Sequence, residues 1–510
     1  MTLPSSEHAA GASGLVPPPG CPAHAATGPG GRTRLHGPLA ETDPMGLYEE
    51  LRAAHGPVAP VLLEGDVRAW LVLGYTENRD VATRSTQFSR DPRIWHGWTS
   101  GEIDAETSPL VPMIGWRPDC VNADGEEHQR LRGAVTASLD QFDHRGLRRH
   151  INRFAHELID SFCEKGEAEL VDRFTEQLPM LTLTHLLGMS EEGAPRLVHA
   201  ARDLFKATET SLASNALVIE SLEQIVRDKK RSPGHDIASA LLAHPANLTD
   251  EEVMQHLRLV LLAGYETTAN LMSNVLRMVV TDPRFRGSLA GGQMTLPEAV
   301  EQVLWDEPPL MVCPARFANG DTTLGGQHIK AGDMLLLGLA AGNVDETIRP
   351  DPATPVHHNR AHLSFSAGSH ECPGQDIGRI IADTGIDILL TRLPDIVLAV
   401  PEERLTWRSS TWARHLTALP VSFAPRPPRG AQLPAPLPAP PPRTVGRPAT
   451  AAPTETARAA GPAEPAAGSP VSAPSAGASG TVPAAGPGTA GRTEVRPRWW
   501  RRLGRLLRRR

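Results

Sequence analysis

The run FSAGSHECPG, Phe365 to Gly374, places one thiol among residues suited to a large flat metal complex. Cys372 can supply a thiolate, a soft ligand that pushes electron density onto iron and favours O–O cleavage. Gly368 and Gly374 allow backbone to turn and approach where a Cβ would clash. Phe365, seven residues before the cysteine, can cover the sulfur, and His370 can reach an anionic edge of the bound group. A buried, inert cysteine in a Gly-rich turn is the plain alternative for any single thiol.

A second constellation is AGYETT, Ala263 to Thr268, inside a long apolar stretch. Thr249 followed three residues later by Glu252 spells a capping box, so a helix is predicted to start there. The run VMQHLRLVLLAG then implies a helix buried on most sides. A mid-helix glycine costs about 1 kcal/mol relative to alanine, so Gly264 needs a reason, and close approach of a flat cofactor is one. Glu266 and Thr267 offer a carboxylate and a hydroxyl in an apolar wall, the groups that deliver protons without admitting bulk water. His128 and Arg132, four apart in EEHQRLR, share a helix face. Arginine can pair with a carboxylate bidentately, but each of these residues taken alone is more often a solvated surface charge.

Strand-like runs (PVAPVLLEG, AWLVLG) and a helix over DPMGLYEELRAA precede a mostly helical stretch from about 127 to 304. Short strands return after Arg316, and a helix begins near Cys372. Five cysteines without a CxxC argue against a disulfide framework. No signal peptide is visible at the N-terminus, and no apolar run approaches the ~20 residues of a spanning helix. From residue 425 onward there are 14 arginines and three acidic residues, a net +11, while the preceding 424 residues carry −18. The Pro/Ala-rich segment 425–490 cannot bury enough surface to order itself and is expected to be a disordered linker. The final twenty residues, 491–510, interleave Trp499, Trp500, Leu503, Leu506 and Leu507 with arginines, a basic amphipathic tail suited to an anionic membrane surface or an acidic protein. No specific nucleic-acid partner is expected.

The Phe365–Gly374 run resembles the haem-ligand loop of the cytochrome P450 family, F-x-x-G-x-H-x-C-x-G. That resemblance implies a mostly α fold with small β-sheets over 32–424, behind a flexible segment 1–31. It implies haem b with Cys372 as axial ligand, Thr267 and Glu266 as the catalytic acid–alcohol pair, and His128, Arg132, Gly264, Arg316, Phe365, His370 and Gly374 around the cofactor. It further implies a cytoplasmic monooxygenase, possible at the inner membrane face, that acts on an apolar small molecule with electrons from a ferredoxin and its reductase. One departure stands out. Where the family has Glu-x-x-Arg, AVEQVLWDEPP places Gln302 and Trp305, and aligning on Glu301 instead puts Leu304 at the fourth position. This resembles a small bacterial subgroup with a Gln/Trp pair there, associated with small GTPases and sensor-like proteins. Arg360 is the expected third member of the buried network, with Trp305 stacked on it. A haem-binding regulatory partner without turnover is the alternative function, favoured by this departure and by the tail. The intact Glu266–Thr267 pair favours the enzyme. Residues 90–118 and 190–215 are the expected access loops, with Trp95, Trp98, Met113 and Trp116 as candidate pocket residues.

Overall fold

The computed structural model describes residues 28–429, apart from 105–107, 109, 190–196, 198–199, 201–210, 352–355 and 357–358. The expectations for most of segment 1–31, for 430–490 and for the 491–510 tail lie outside the described residues, as does much of 190–215. Helices dominate: α1 Pro44–His55, α2 Tyr75–Thr83, α3 Gly125–Asp140, α4 His144–Asp160, α5 Gln177–Leu187, α6 Ser211–Arg231, α7 Asp250–Thr281, α8 Leu296–Asp306 and α9 Gln375–Arg392. The strands used below are β1 Thr33–Arg34, β2 Val58–Leu63, β3 Val67–Val72, β4 Phe88–Ser89, β5 Glu167–Glu169, β6 Cys313–Ala318, β7 Met334–Leu337, β8 Val397–Leu398, β9 Trp407–Ser409, β10 Arg414–Leu416 and β11 Pro420–Ser422. This is the mostly α architecture with small sheets that the sequence implies.

The larger sheet runs β1-β2-β3-β7-β6-β4. Its hairpin pairs Val58 with Val72 and Leu63 with Val67, turning through Gly65 at φ +78° and Asp66 at φ +57°. β3 runs parallel to β7 with Trp70 opposite Leu335, and β7 is antiparallel to β6 with a register shift between Cys313 and Arg316. Such irregularities bend a strand and re-aim its side chains. A smaller sheet orders β8-β11-β5, and β9-β10 form a separate hairpin.

The helical core gathers around α7. Its capping box is realised: Glu252 N–H donates to Thr249 Oγ1 at 3.2 Å, and Thr249 N–H donates to Glu252 Oε2 at 2.7 Å. Two of the orphan donors at the helix start are thereby satisfied. Leu257, Leu261, Met272, Val275 and Leu276 are fully or almost fully buried, which places α7 through the centre of the helical layer. α4 buries Leu147, Ile151, Phe154, Ala155 and Ile159, a stripe at spacings of three and four that keeps its arginines outward. Beyond β11 the chain stays attached through Arg426 N–H to Cys163 O at 2.8 Å and Arg429 N–H to Asp160 Oδ1 at 3.0 Å.

Candidate active site

The Cys372 loop is shaped by two different glycines. Gly368 has φ +74°, and a Cβ there would lie 2.6 Å from Ala82 O and 3.0 Å from Thr83 Cα. The loop therefore lies against the end of α2 as only glycine permits. Gly374 has ordinary φ −95° and caps α9; its N–H faces the cysteine sulfur. Cys372 N–H donates to Phe365 O at 2.9 Å, closing the loop. Burial pushes the thiol pKa up, opposed by the Gly374 N–H, Arg132 and Arg379. A positive metal centre is what such a sulfur requires to be a thiolate. The Arg379 guanidinium lies 4.4 Å over the Phe365 ring and His362 is 5.7 Å away.

Beside the loop the cationic set is assembled from three elements. Arg132 on α3 donates to Glu371 O, next to the cysteine. His128, one turn earlier, stacks on His370 with centroids 4.1 Å apart. His370 Nε2 lies 3.3 Å from Asp124 Oδ1, and burial drives its pKa down to about 3, so the ring is neutral. Arg316 on β6 is 2% exposed. Its Nη1 donates to the carbonyl of its own neighbour, Ala315, at 3.3 Å. Burial, then the charge of Arg90, pulls its pKa down to about 9. Two members escaped the sequence analysis. Asp124 accepts from Ser89 Oγ at 2.5 Å and Arg90 N–H at 2.8 Å. Burial would raise its pKa, but hydrogen bonds from His370, Ser89 and Arg90 hold it at about 2. Arg90 donates to Pro314 O, to Ala315 O at 2.9 Å and to Val121 O at 3.0 Å.

These residues fit the dianionic edge of haem. Arg316 forms no ion pair among the described residues, and the buried His128 Nε2 has no hydrogen-bond partner. A buried guanidinium without an anion is costly, and two carboxylates arriving here would relieve it.

On α7 a short strip is open: Ala263 is exposed and Thr267 half-buried, on a helix otherwise largely covered. Thr267 Oγ1 donates to Ala263 O at 2.7 Å. A Cβ on Gly378 of α9 would lie 3.6 Å from Thr268 Oγ1, so the helix that follows the cysteine loop meets α7 beside Thr267. Two of the expected residues also meet neighbours that spacing does not reveal. A Cβ on Gly264 would meet Leu183 of α5 at 3.2 Å, so this glycine also allows close packing of α7 and α5. Glu266 is directed at the β9–β10 hairpin, with His415 Nε2 2.7 Å from its Oε1.

Beside Gln302 and Trp305 a buried ionic network is nevertheless present. The buried acid is Glu301, one residue earlier, and its arginine comes from another helix. Arg379 Nε donates to Glu301 Oε1 at 2.6 Å, and Arg379 Nη2 to Oε2 at 3.3 Å. His362 Nε2 lies 2.9 Å from Oε2, and Arg360 Nε 3.5 Å from Oε1. Arg360 is thus a network member, while the cation near the Trp305 face is Arg349, 6.0 Å from the ring centroid. Trp305, 1% exposed, donates from its indole nitrogen to Asn359 O at 2.8 Å. Gln302 donates to Asp306 Oδ2 at 2.8 Å and accepts from Val356 N–H at 3.3 Å. Among the candidate pocket residues, Trp95 is buried against Trp98 and Phe317, whereas Trp116 and Met113 are exposed.

Scanned against protein-family models, the chain matches none. It is 30% identical over 403 residues to cytochrome P450 CYP107DY1 of Priestia megaterium, covering 75% of this chain and 96% of that protein. The chain belongs to the cytochrome P450 family. It is also 30% identical over 381 residues to the 2-hydroxy-5-methyl-1-naphthoate 7-hydroxylase of Streptomyces carzinostaticus, with 72% and 92% of the two chains covered. The structure of CYP154C4 from Streptomyces sp. ATCC 11861 superposes with a TM-score of 0.71 at 30% identity, covering 77% of this chain and 98% of that one. This cytochrome P450 is a haem-thiolate monooxygenase with haem b as its cofactor. Among the described residues no helix is long and apolar enough to cross a membrane.

Proposed function

We propose that this cytochrome P450 inserts one atom of dioxygen into an apolar small molecule using electrons from a ferredoxin and its reductase, with Cys372 as the iron ligand. Haem b, when bound, supplies an iron whose thiolate ligation favours O–O cleavage. The observation that carries the assignment of residues is the buried Arg316, which has no ion pair among the described residues, beside the unsatisfied His128 Nε2 and the Cys372 loop. Arg316, His128 and Arg132 hold the carboxylate edge, with His370 stacked on His128 and Asp124 fixing His370. Phe365, Gly368 and Gly374 set the loop. Thr267, whose hydroxyl rests on Ala263 O, can turn its proton into the open strip of α7, and Glu266 stores a proton one residue away. Water is limited there by the apolar helix around the strip. The Gln302/Trp305 pair supports membership of the subgroup lacking Glu-x-x-Arg, with Glu301 carrying the ionic role. The body works in the cytoplasm, and segment 491–510 brings it to an anionic membrane surface or an acidic protein.

The deciding experiment is a carbon monoxide difference spectrum of the reduced protein beside Cys372→Ser. A thiolate-type Soret band that disappears in the variant is expected. A band of the thiol-ligated type, or one that survives the substitution, overturns the assignment of Cys372.

A further inference from the structure

Glu266 does not stand alone in the wall of α7. His415 Nε2 reaches its Oε1 at 2.7 Å, and the two side chains are 16% and 32% exposed, respectively. His415 lies on β10, directly across from Arg408 on β9. The same imidazole lines a cavity of about 220 Å³, walled also by Glu169, Asp172, Glu176, Arg408, Asn270 and Thr417. At about 30 Å³ per water, that space holds several molecules. Glu169 is committed to the backbone, accepting from Val171, Asp172 and Leu419 N–H groups. The charged groups facing His415 are therefore Glu266 from α7, Arg408 across the hairpin, and the carboxylates of Glu169, Asp172 and Glu176.

We propose that His415 is the proton-supply residue for Glu266, linking the carboxylate on α7 to water in this cavity. The inference rests on the role of Glu266 proposed above. A carboxyl that releases its proton toward Thr267 becomes a carboxylate and must be recharged before the next cycle. The neutral His415 ring passes its Nε2 proton to Glu266 Oε1 while its Nδ1 accepts one from cavity water, and exchange between the two ring tautomers then returns a proton to Nε2. One proton moves from solvent to the inner face of α7, and no electron moves. Imidazole suits the task because both of its nitrogens exchange protons near neutral pH. The bond also restrains Glu266, so His415 positions the group that it recharges.

The test uses the full-length holoenzyme with a ferredoxin and its reductase, following electron consumption and hydrogen peroxide release. Carbon monoxide spectra and melting curves check that each variant is folded. His415→Ala is expected to slow electron consumption about tenfold, less than the ~10²–10⁴ of a direct general acid because cavity water substitutes in part. The peroxide fraction rises with it. His415→Gln, which keeps a donor but cannot relay a proton, shows the same loss, and wild-type rates in His415→Gln overturn the relay. Adding His415→Ala to Glu266→Ala has no further effect, as for two members of one path; additive losses overturn the proposal. Independently of turnover, a hydrogen-bonded Nε2–H signal of His415 in ¹⁵N-histidine spectra is present in the wild type and lost in Glu266→Ala. Its absence from the wild type overturns the pairing. Should Glu266→Ala itself leave both rates unchanged, the role given to Glu266 fails. Should Glu266→Ala be impaired and His415→Ala not, only this inference fails.

Discussion

Replacing Glu301 by Gln removes the charge at the centre of the buried network and leaves Arg379, 8% exposed, without its carboxylate. Burial disfavours the Glu301 charge, yet hydrogen bonds from His362 and Arg379 and the Arg379 charge hold its pKa at about 2, below the ordinary 4.5. A gap of that size corresponds to roughly 3 kcal/mol of stability at neutral pH, with ~2 kcal/mol left after discounting for solvent screening. Breaking a buried pair from one side costs ~3–5 kcal/mol in general, so about 3 kcal/mol is the expected loss. With an unfolding entropy near 2.1 cal/mol/K per residue over ~400 residues, the melting temperature drops by about 3–4 °C. The sign of the pH dependence follows from the depressed pKa. The contribution is fully present above about pH 4.5, where the unfolded carboxyl titrates, and is lost as pH falls through about 2. Urea unfolding at pH 7 and at intervals down to pH 3 therefore shows a gap between wild type and Glu301→Gln that narrows in acid. Gln302→Ala loses two part-buried hydrogen bonds and costs about 1–2 kcal/mol. A pH-independent gap, or a larger loss in Gln302→Ala, would refute the assignment of the network to Glu301.

Arg316→Met removes a buried charge that has no ion pair among the described residues, so the haem-free protein is expected to gain about 1–2 kcal/mol in urea unfolding while haem retention on a desalting column falls. Gly368→Ala forces a Cβ against Ala82 O at positive φ; a loss of about 1–3 kcal/mol and reduced haem content are expected by melting and by the haem-to-protein absorbance ratio. Thr267→Ala leaves the fold and carbon monoxide spectrum intact and diverts more electrons to peroxide, measured against the electrons consumed.

What the sequence made legible was local. The cysteine loop is ten consecutive residues, and the capping box of α7 spans four, so spacing alone exposes both. His128 and Arg132 lie one helical turn apart and could be paired for the same reason. Glu301 was passed over because its partners, Arg379 and His362, are 78 and 61 residues away, and a search for an arginine at the fourth position cannot see another helix. Asp124 and Arg90 read as ordinary surface charges until β4 brings Ser89 and Arg90 to the start of α3. The contact of Gly264 with Leu183 of α5 is invisible to spacing because the two lie 81 residues apart on different helices. The His415–Glu266 pair joins a central helix to a hairpin near the end of the body, and no periodicity announces it.

Because the Glu301 clamp closes between α8 and α9, the helix that follows the Cys372 loop is also the one that completes the ionic core. Contacts so distant along the chain form late, after the loop-closure entropy has been met. The Phe365 ring under Arg379 then receives its final position in the same event that buries Glu301. Cofactor capture is thereby placed at the end of folding: a chain whose α9 has not docked offers neither a fixed sulfur nor a settled loop, and haem meets a pocket only when the body around it is complete.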